Sequence, residues 1–322
     1  MTVTVLNALL RPLLEPRLPD WVEPRWYAGK DEAFALAPLA EIGWFDMHSK
    51  ADMAQVFLSA VKLKWLNSVY AGVEAFPLDL LASRGVVLTN GAGINAVPIA
   101  EYVLMLMLAQ CKGYREVVRA QERREWLRDS PGKRELFGSQ VLILGYGAIG
   151  QEVAARLAGF GAQVTKVRRS AGSDTLSADT LSPDTLSPGQ WRGELGRFDW
   201  IVIGVPATPE THHLIGAAEL AAMRPDAVLV NVARGSVIDQ AALVVALEAG
   251  QIGGALLDVT TPEPLPSDHP LWGLDNAQVT MHLSGNAQTL MFARAAERFL
   301  ANLERFRDGR PLTPQVDYAA GY

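Results

Sequence analysis

The sequence predicts an α/β protein built on a parallel, doubly wound sheet. Three observations carry this. Apolar runs of strand length, QVLILG, AQVTKV, WIVIGV, AVLVNV, GALLDV and AQVTMH, recur from Gln140 onward. Segments with helical spacing, such as GAAELAAM and DQAALVVALEAG, lie between several of them. The first run is joined to a helical segment, AIGQEVAARLAGF, by a glycine-rich turn, GYGAIG.

The 322 residues allow two domains of ordinary size, and 49% of them are hydrophobic, enough for large cores. A net charge of −6 argues against a general nucleic-acid surface but leaves room for a local basic pocket. The single cysteine, Cys111, excludes an internal disulfide framework and suits a reducing cytoplasm, where a packed, inert thiol is expected. The start, MTVTVLNALL, has no cationic n-region and no small-residue cleavage site, so no signal peptide is expected. The most apolar run, YVLMLMLA, is too short to span a bilayer. The expectation is a soluble cytoplasmic protein with no nucleic-acid or membrane partner. No His/Cys/carboxylate spacing indicates a metal site.

The first 110 residues read less clearly. Pro12, Pro16, Pro19 and Pro24 break up the start. KLKWLNSVYAGVEAF, LDLLASRG and VVLTN then read as strand, helix and strand. Trp44, Phe45 and Met47 read as core filling rather than pocket lining. One long helix is expected over roughly 98–126, passing from apolar IAEYVLMLMLAQ to charged REVVRAQERREW, as suits a helix that leaves one core for another surface. AQTLMFARAAERFLANLERFRDG is again helical, with Gly309 and Pro311 as stop signals. Two long helices flanking the βα unit predict a nucleotide domain, 99–286, inserted into a discontinuous outer domain, 1–98 and 287–322. The stretch DTLSADTLSPDTLSP, 174–188, repeats a five-residue unit three times. Asp, Ser and Pro favour turns, so a surface loop is expected there.

In GYGAIG, Gly145 allows a tight turn, Gly147 lets a pyrophosphate approach the backbone, and Gly150 lets the helix pack closely on the strand. With Tyr146, Ala148 and Ile149 these form the candidate phosphate turn, where free N–H groups and the helix dipole face an anion. About twenty residues further on, such a fold usually carries an acid that binds the adenosine ribose. Here the chain has Arg168, Arg169 and Ser170. Guanidinium groups match phosphate geometry with paired hydrogen bonds, so these residues read as a 2′-phosphate pocket. NADP(H) is expected ahead of NAD(H); the plain alternative is two solvated surface arginines. Further along, Val205, Pro206, Thr211, Val232, Ala233, Arg234, Asp258, His282 and Gly285 complete the candidate cofactor set. NVARGSVID, LLDVTTPEPLP and TMHLSG set Arg234, Asp258, Glu263 and His282 near strand ends, where ligands bind in open α/β sheets.

Across about 62–300, the motifs AGVEAF, GAGINAVPIAEYVL, LGYGAIGQ, TPETHHLI, NVARGSVID, ALLDVTTPEPLP and MHLSG come in the order seen in the D-isomer-specific 2-hydroxyacid dehydrogenases, which this chain resembles. Its arginines resemble those of the NADP-preferring glyoxylate and hydroxypyruvate reductases of that family. The resemblance implies a Rossmann-type domain inserted in a discontinuous flavodoxin-like substrate domain. It implies NADPH-dependent reduction of a small 2-keto acid to the D-2-hydroxy acid. It also implies a homodimer formed through the nucleotide domains. Domain closure is expected, with hinges near 96–100 and 284–287.

That chemistry needs a hydride at the carbonyl carbon, a proton at its oxygen and a grip on the carboxylate. Arg234 suits the carboxylate and keto oxygen, being planar and permanently charged. His282 suits the acid, and Glu263 would orient it. By resemblance, Asp258 lies near the nicotinamide, and the backbone at Ala71 and Gly72 donates N–H groups to the carboxylate. Ser284 is a candidate on the substrate side, although the stretch after His282 departs from the family's usual pattern. Taken singly, Arg234 also reads as a helix-start ion pair, Glu263 as a loop charge and His282 as a core histidine. His212 and His213 are expected beside the adenosine or on the surface. Two other functions compete: an NAD-dependent dehydrogenase of a bulkier acid, and a dinucleotide-sensing corepressor-like binding protein. A formate-type role is disfavoured by Glu263, and a phosphoglycerate-type role by the absence of an appended regulatory domain after Tyr322.

Overall fold

The computed structural model describes residues 1–47, 49–73, 75–167, 184–286 and 290–319. Arg168, Arg169, Ser170, His48 and the repeat segment as far as 183 lie outside them. The chain divides into two compact units, Met1–Asn95 with Ala287–Tyr322, and Ala96–Asn286.

The first unit holds a parallel sheet in the order β2-β1-β3-β4-β5, formed by β1 (Thr2–Asn7), β2 (Val22–Tyr27), β3 (Ile42–Trp44), β4 (Trp65–Asn67) and β5 (Val87–Thr89). Helices α1 (Arg11–Leu14), α2 (Lys30–Leu36), α3 (Lys50–Ser59) and α4 (Leu78–Ser83) connect the strands. Pro24 lies inside β2, the edge strand, where a missing N–H costs no ladder bond on the open side. The prolines at the start therefore did not exclude a strand. Side chains alternate between two cores, as strand geometry requires. Val5, Phe45 and Leu66 enter one, while Leu6, Trp44 and Trp65 enter the other. In the second core Trp44 and Trp65 pack on Phe299 of the C-terminal helix Met291–Arg307, with ring centres 5.2 and 4.9 Å apart. Trp44 and Phe45 are thus core residues, and Met47 packs partly buried against the first core.

The second unit holds a seven-stranded parallel sheet in the order β12-β11-β10-β9-β6-β7-β8. Its strands are β6 (Gln140–Leu144), β7 (Gln163–Val167), β8 (Thr185–Leu186), β9 (Trp200–Ile203), β10 (Val228–Asn231), β11 (Gly254–Leu257) and β12 (Ala277–Val279). The central strands are apolar on both faces because helices cover both. Val141 and Ile143 meet α5 (Ala96–Lys112) and α7 (Ala148–Gly159) on one side. Leu142 and Leu144 share the opposite core with residues of α8 (Ala217–Ala222) and α9 (Gln240–Glu248). The chain winds outward from β6 in one direction and from β9 in the other. The carboxyl ends of those two strands form the crevice where such sheets take ligands. This is a Rossmann-type doubly wound domain.

The single helix expected over 98–126 is instead two, α5 and α6 (Tyr114–Glu122), bent by 70°. The break is Gly113, at φ +60°, a conformation that costs glycine nothing. Gly132 seats against it; a Cβ there would meet the Gly113 N at 2.2 Å and the Lys112 carbonyl carbon at 2.3 Å. The charged half bonds within its own unit. Arg115 donates to the Ala277 carbonyl at 2.7 Å, and Arg119 pairs with Asp275 at 3.0 Å. Cys111 is buried, and burial pushes its thiol pKa up. Among the described residues no single helix is long and apolar enough to cross a membrane, and α5 contributes Ala100, Val103, Leu104, Leu106, Met107 and Cys111 to a core. Gly132→Ala should lower stability by about 1–3 kcal/mol through overpacking, read as a shift in urea midpoint. An unchanged midpoint would mean the contact is slack.

Candidate active site

The glycine turn does three separate things. Gly145 has φ +96°, and a Cβ there would meet the Gly204 carbonyl carbon at 2.6 Å and the Val205 N at 2.7 Å. It lets the loops after β6 and β9 touch at the switch point. Gly150 sits under the turn; its Cβ would meet the Gly145 carbonyl oxygen at 2.4 Å. Gly147 is exposed, with nothing within 4 Å of the position a Cβ would take. It caps α7, whose first amides have no partners within the helix. Open ground in front of a helix N-terminus fits the pyrophosphate of a dinucleotide. Tyr146 and Gly145 donate to the Val167 carbonyl at 3.3 and 3.2 Å, and the Lys166 ammonium lies 4.8 Å from the Tyr146 ring centre. So β7 ends against the turn, one residue before Arg168. Ala148 is exposed and Ile149 half-buried beside it. After β9, Val205 and Pro206 start a loop that Thr211 closes by donating to the Pro206 carbonyl at 2.7 Å. His212 and His213 are exposed, their rings stacked 3.9 Å apart.

The catalytic candidates come from the carboxyl ends of β10, β11 and β12. Asn231, the last residue of β10, accepts from the Ala233 N at 3.0 Å and donates to the Arg234 carbonyl at 2.9 Å. This folds Val232 and Ala233 inward and sets Arg234, whose guanidinium donates to the Ala233 carbonyl at 2.8 Å. Gly235 then lies flat on the loop after β11. A Cβ at Gly235 would stand 2.1 Å from the Thr260 carbonyl carbon and oxygen. Thr260 in turn holds Glu263, its N–H donating to Oε1 at 3.1 Å. The other carboxylate oxygen, Oε2, is 2.8 Å from Nδ1 of His282. Gln240 grips the same loop by both backbone groups of Thr261, at 2.9 and 2.6 Å.

Asp258 shapes the histidine loop. It is 1% exposed, directly after β11. Its carboxylate accepts from the Thr280 hydroxyl at 2.8 Å, the Leu283 N at 3.0 Å, and both the N–H and hydroxyl of Ser284. Its own carbonyl accepts from the His282 N at 2.6 Å. Met281 and His282 hold φ of +57° and +58°, a left-handed pair that costs about 1–2 kcal/mol per residue. The buried, fully partnered carboxylate offsets that cost. Ser284, expected on the substrate side, is buried with its hydroxyl on Asp258. Gly285 follows, half-buried.

The structure therefore brings Glu263 and His282 together, lays the Arg234 loop on theirs through Gly235, and gives Asp258 a holding role. Ala71 and Gly72 belong to the first unit. Asn231, Gln240 and Thr280 escaped the sequence reading. Their one available signal was a polar residue at the end of an apolar strand or start of a helix. Among the described residues no cluster of His, Cys, Asp or Glu is arranged to hold a metal ion. Gly235→Ala must push the Arg234 and Glu263 loops apart. It should lower kcat/KM by about 10–100-fold, the usual effect of a displacement near 1 Å, while the protein stays folded by circular dichroism. Retained kcat/KM would show that the close approach does not set the site.

Comparison with known proteins identifies the family. Residues 104–284 match the model of the D-isomer specific 2-hydroxyacid dehydrogenase NAD binding domain. The D-3-phosphoglycerate dehydrogenase of Mycobacterium leprae is 35% identical over 270 residues, 84% of this chain and 50% of that protein. The chain thus spans about half the length of such relatives. Glyoxylate/hydroxypyruvate reductase B of Pectobacterium carotovorum is 35% identical over 266 residues, 80% of this chain and 81% of that one. A D-isomer specific 2-hydroxyacid dehydrogenase family protein from Aeromonas salmonicida superposes with a TM-score of 0.83 at 33% identity, covering 98% of this chain and 99% of that one. By the matched residues, the identities and the coverage, the chain belongs to the D-isomer specific 2-hydroxyacid dehydrogenase family.

Proposed function

We propose that this protein reduces a small 2-keto acid, of the glyoxylate or hydroxypyruvate kind, to the D-2-hydroxy acid, with NADPH preferred to NADH. The observation that carries the reading is the His282–Glu263 contact at 2.8 Å, set at strand ends beside Arg234. Glu263 accepts from Nδ1, so Nε2 is the ring atom left for the keto oxygen. With Nδ1 held by the carboxylate, a protonated ring would give up its Nε2 proton as the alkoxide forms. In the reverse direction the neutral ring takes that proton back. Arg234 would hold the substrate carboxylate and polarise the keto oxygen with its planar fork. A reduced nicotinamide bound at the glycine turn would supply the hydride to the carbonyl carbon. The exposed Gly147 and the α7 N-terminus support a dinucleotide there. The NADP preference rests on Arg168, Arg169 and Ser170, which follow directly on the strand end that meets the turn. Ala71 and Gly72, by family resemblance, would donate N–H groups to the substrate carboxylate.

The similarity to D-3-phosphoglycerate dehydrogenase supports a second reading, in which the keto acid carries a phosphate. Its phosphorylated keto acid therefore belongs in the substrate panel.

Loss of the reduced-nicotinamide absorbance tests these readings. Glyoxylate or hydroxypyruvate should be reduced faster with NADPH than with NADH at equal concentration, and replacing Arg168 and Arg169 by neutral residues should remove the difference. His282→Ala should cut kcat by about 100-fold or more. A folded His282→Ala protein with full turnover would overturn the mechanism. Faster turnover with NADH would overturn the cofactor preference alone. Turnover confined to the phosphorylated acid would select the second reading.

We further read the protein as a homodimer. The α5–α7 face carries an apolar groove with Met105, Tyr114 and Phe160 at 50, 57 and 43% exposure, larger side chains than a solvated face needs. Met105→Glu should move the sedimentation coefficient from dimer to monomer. A monomeric unsubstituted protein would refute the assignment.

A further inference from the structure

We propose that Asp46 is a positioning residue for substrate binding, through the loop 68–72 that would hold the substrate carboxylate. The inference rests on the keto-acid reading above.

Asp46 stands two residues beyond β3, next to β4, whose end opens that loop. The mechanism does not use it, yet its carboxylate is turned to the loop and to the neighbouring Trp44. Oδ1 accepts from the Ser68 hydroxyl at 2.6 Å. Oδ2 accepts from the Val69 N–H and from Nε1 of Trp44, both at 2.6 Å. The Ser68 hydroxyl passes the constraint on by accepting from the Tyr70 N–H at 3.0 Å. Trp44 is itself fixed in the core, so the carboxylate is anchored on one side and holds the loop on the other.

The far side of the loop is tied as firmly. Gly91 donates its N–H to the Tyr70 carbonyl at 2.8 Å, and the Asn90 side chain donates to the Ala71 carbonyl at 2.8 Å. A Cβ at Gly91 would stand 1.8 Å from the Val69 carbonyl oxygen, so the two loops are in backbone contact. Arg298 then fixes the Asn90–Ala92 turn by donating to the Ala92 carbonyl at 2.7 Å. The amides of Ser68, Val69 and Tyr70 are thus turned inward, to Thr89, Asp46 and Ser68. Among the described residues the next two amides, Ala71 and Gly72, donate to no protein acceptor. Ala71 is exposed and Gly72 half-exposed. A pair of adjacent outward amides is a binding element for a carboxylate, and its direction is set by the residues immediately before it.

Burial pushes the carboxyl pKa up to about 6, while the three donors pull the other way. A carboxyl retained in such a place, against its desolvation, is there for its acceptor geometry.

The test is steady-state kinetics with a 2-keto acid, with the NADPH dissociation constant measured separately by fluorescence. Asp46→Ala should raise KM for the keto acid by about tenfold, as expected for loss of charge-assisted hydrogen bonds, with kcat and the NADPH constant within about threefold of the unsubstituted protein. Asp46→Asn should bring KM back within about threefold, because its oxygen still accepts from Trp44 and Val69 while its NH2 donates to Ser68. A KM unchanged in folded Asp46→Ala would overturn the proposal. So would a parallel fall in kcat and NADPH binding, which marks a general packing defect. If Asp46→Ala does not fold, Ser68→Ala takes its place; a selective rise in KM supports the role, and no rise overturns it. No turnover by the unsubstituted protein on any 2-keto acid would sink the function and this role together, whereas turnover with an unmoved KM sinks the role alone.

Discussion

A buried carboxylate at the end of β11 is the constraint on which the candidate site depends. Asp258 holds the loop 280–284 by four side-chain hydrogen bonds and one backbone bond. Without that acceptor array, two consecutive left-handed non-glycine residues would have no compensation, and the loop would relax. His282 is one of the two. Its ring reaches Glu263 only because the backbone beneath it is bent that way. Asp258 therefore shapes the candidate site through conformation, and its burial is what lets it do so.

The same design recurs at a second point in the chain. In each sheet the strands are parallel, so their carboxyl ends all face one way, and the loops there are free of packing duty. Each loop set is then tied down by a carboxylate or carboxamide whose acceptors take up the inward amides. Asp258 does this with Asn231 in the larger unit, and in the smaller Asp46 accepts the Val69 amide and Asn90 the Ala92 amide. Glycines complete the arrangement where two loops must touch. Gly235 on Thr260 and Gly91 on Val69 are contacts that no side chain allows.

Much of the fold was legible because it rests on periodicity. Apolar runs such as WIVIGV and AVLVNV have to be buried on both faces, and that dictates a parallel sheet with helices on either side. The glycine turn was legible because three spaced glycines between strand and helix have a narrow range of uses. The long helix misled, because composition does not reveal that Gly113 must leave the right-handed region to admit Gly132 from 19 positions further on. Pro24 misled in the opposite sense, since a proline is harmless on an edge strand and the sequence does not say which strand is at the edge.

The site divides along the same line. Arg234, Glu263 and His282 stood out because their side chains have few alternatives for the chemistry and each follows a strand. Asp46, Asn231 and Gln240 did not, because an isolated acid or amide has no pattern; its role exists only when a distant backbone amide is brought within hydrogen-bond reach. Ser284 looked like a substrate contact from its place beside the histidine, and the left-handed turn at Met281 and His282 sends it inward instead. The sequence alone determined the chemistry available, the order of the elements and the ends of the strands where it would gather. Tertiary structure decided which polar groups face the ligand and which face the protein, because that choice depends on contacts between residues far apart in the chain.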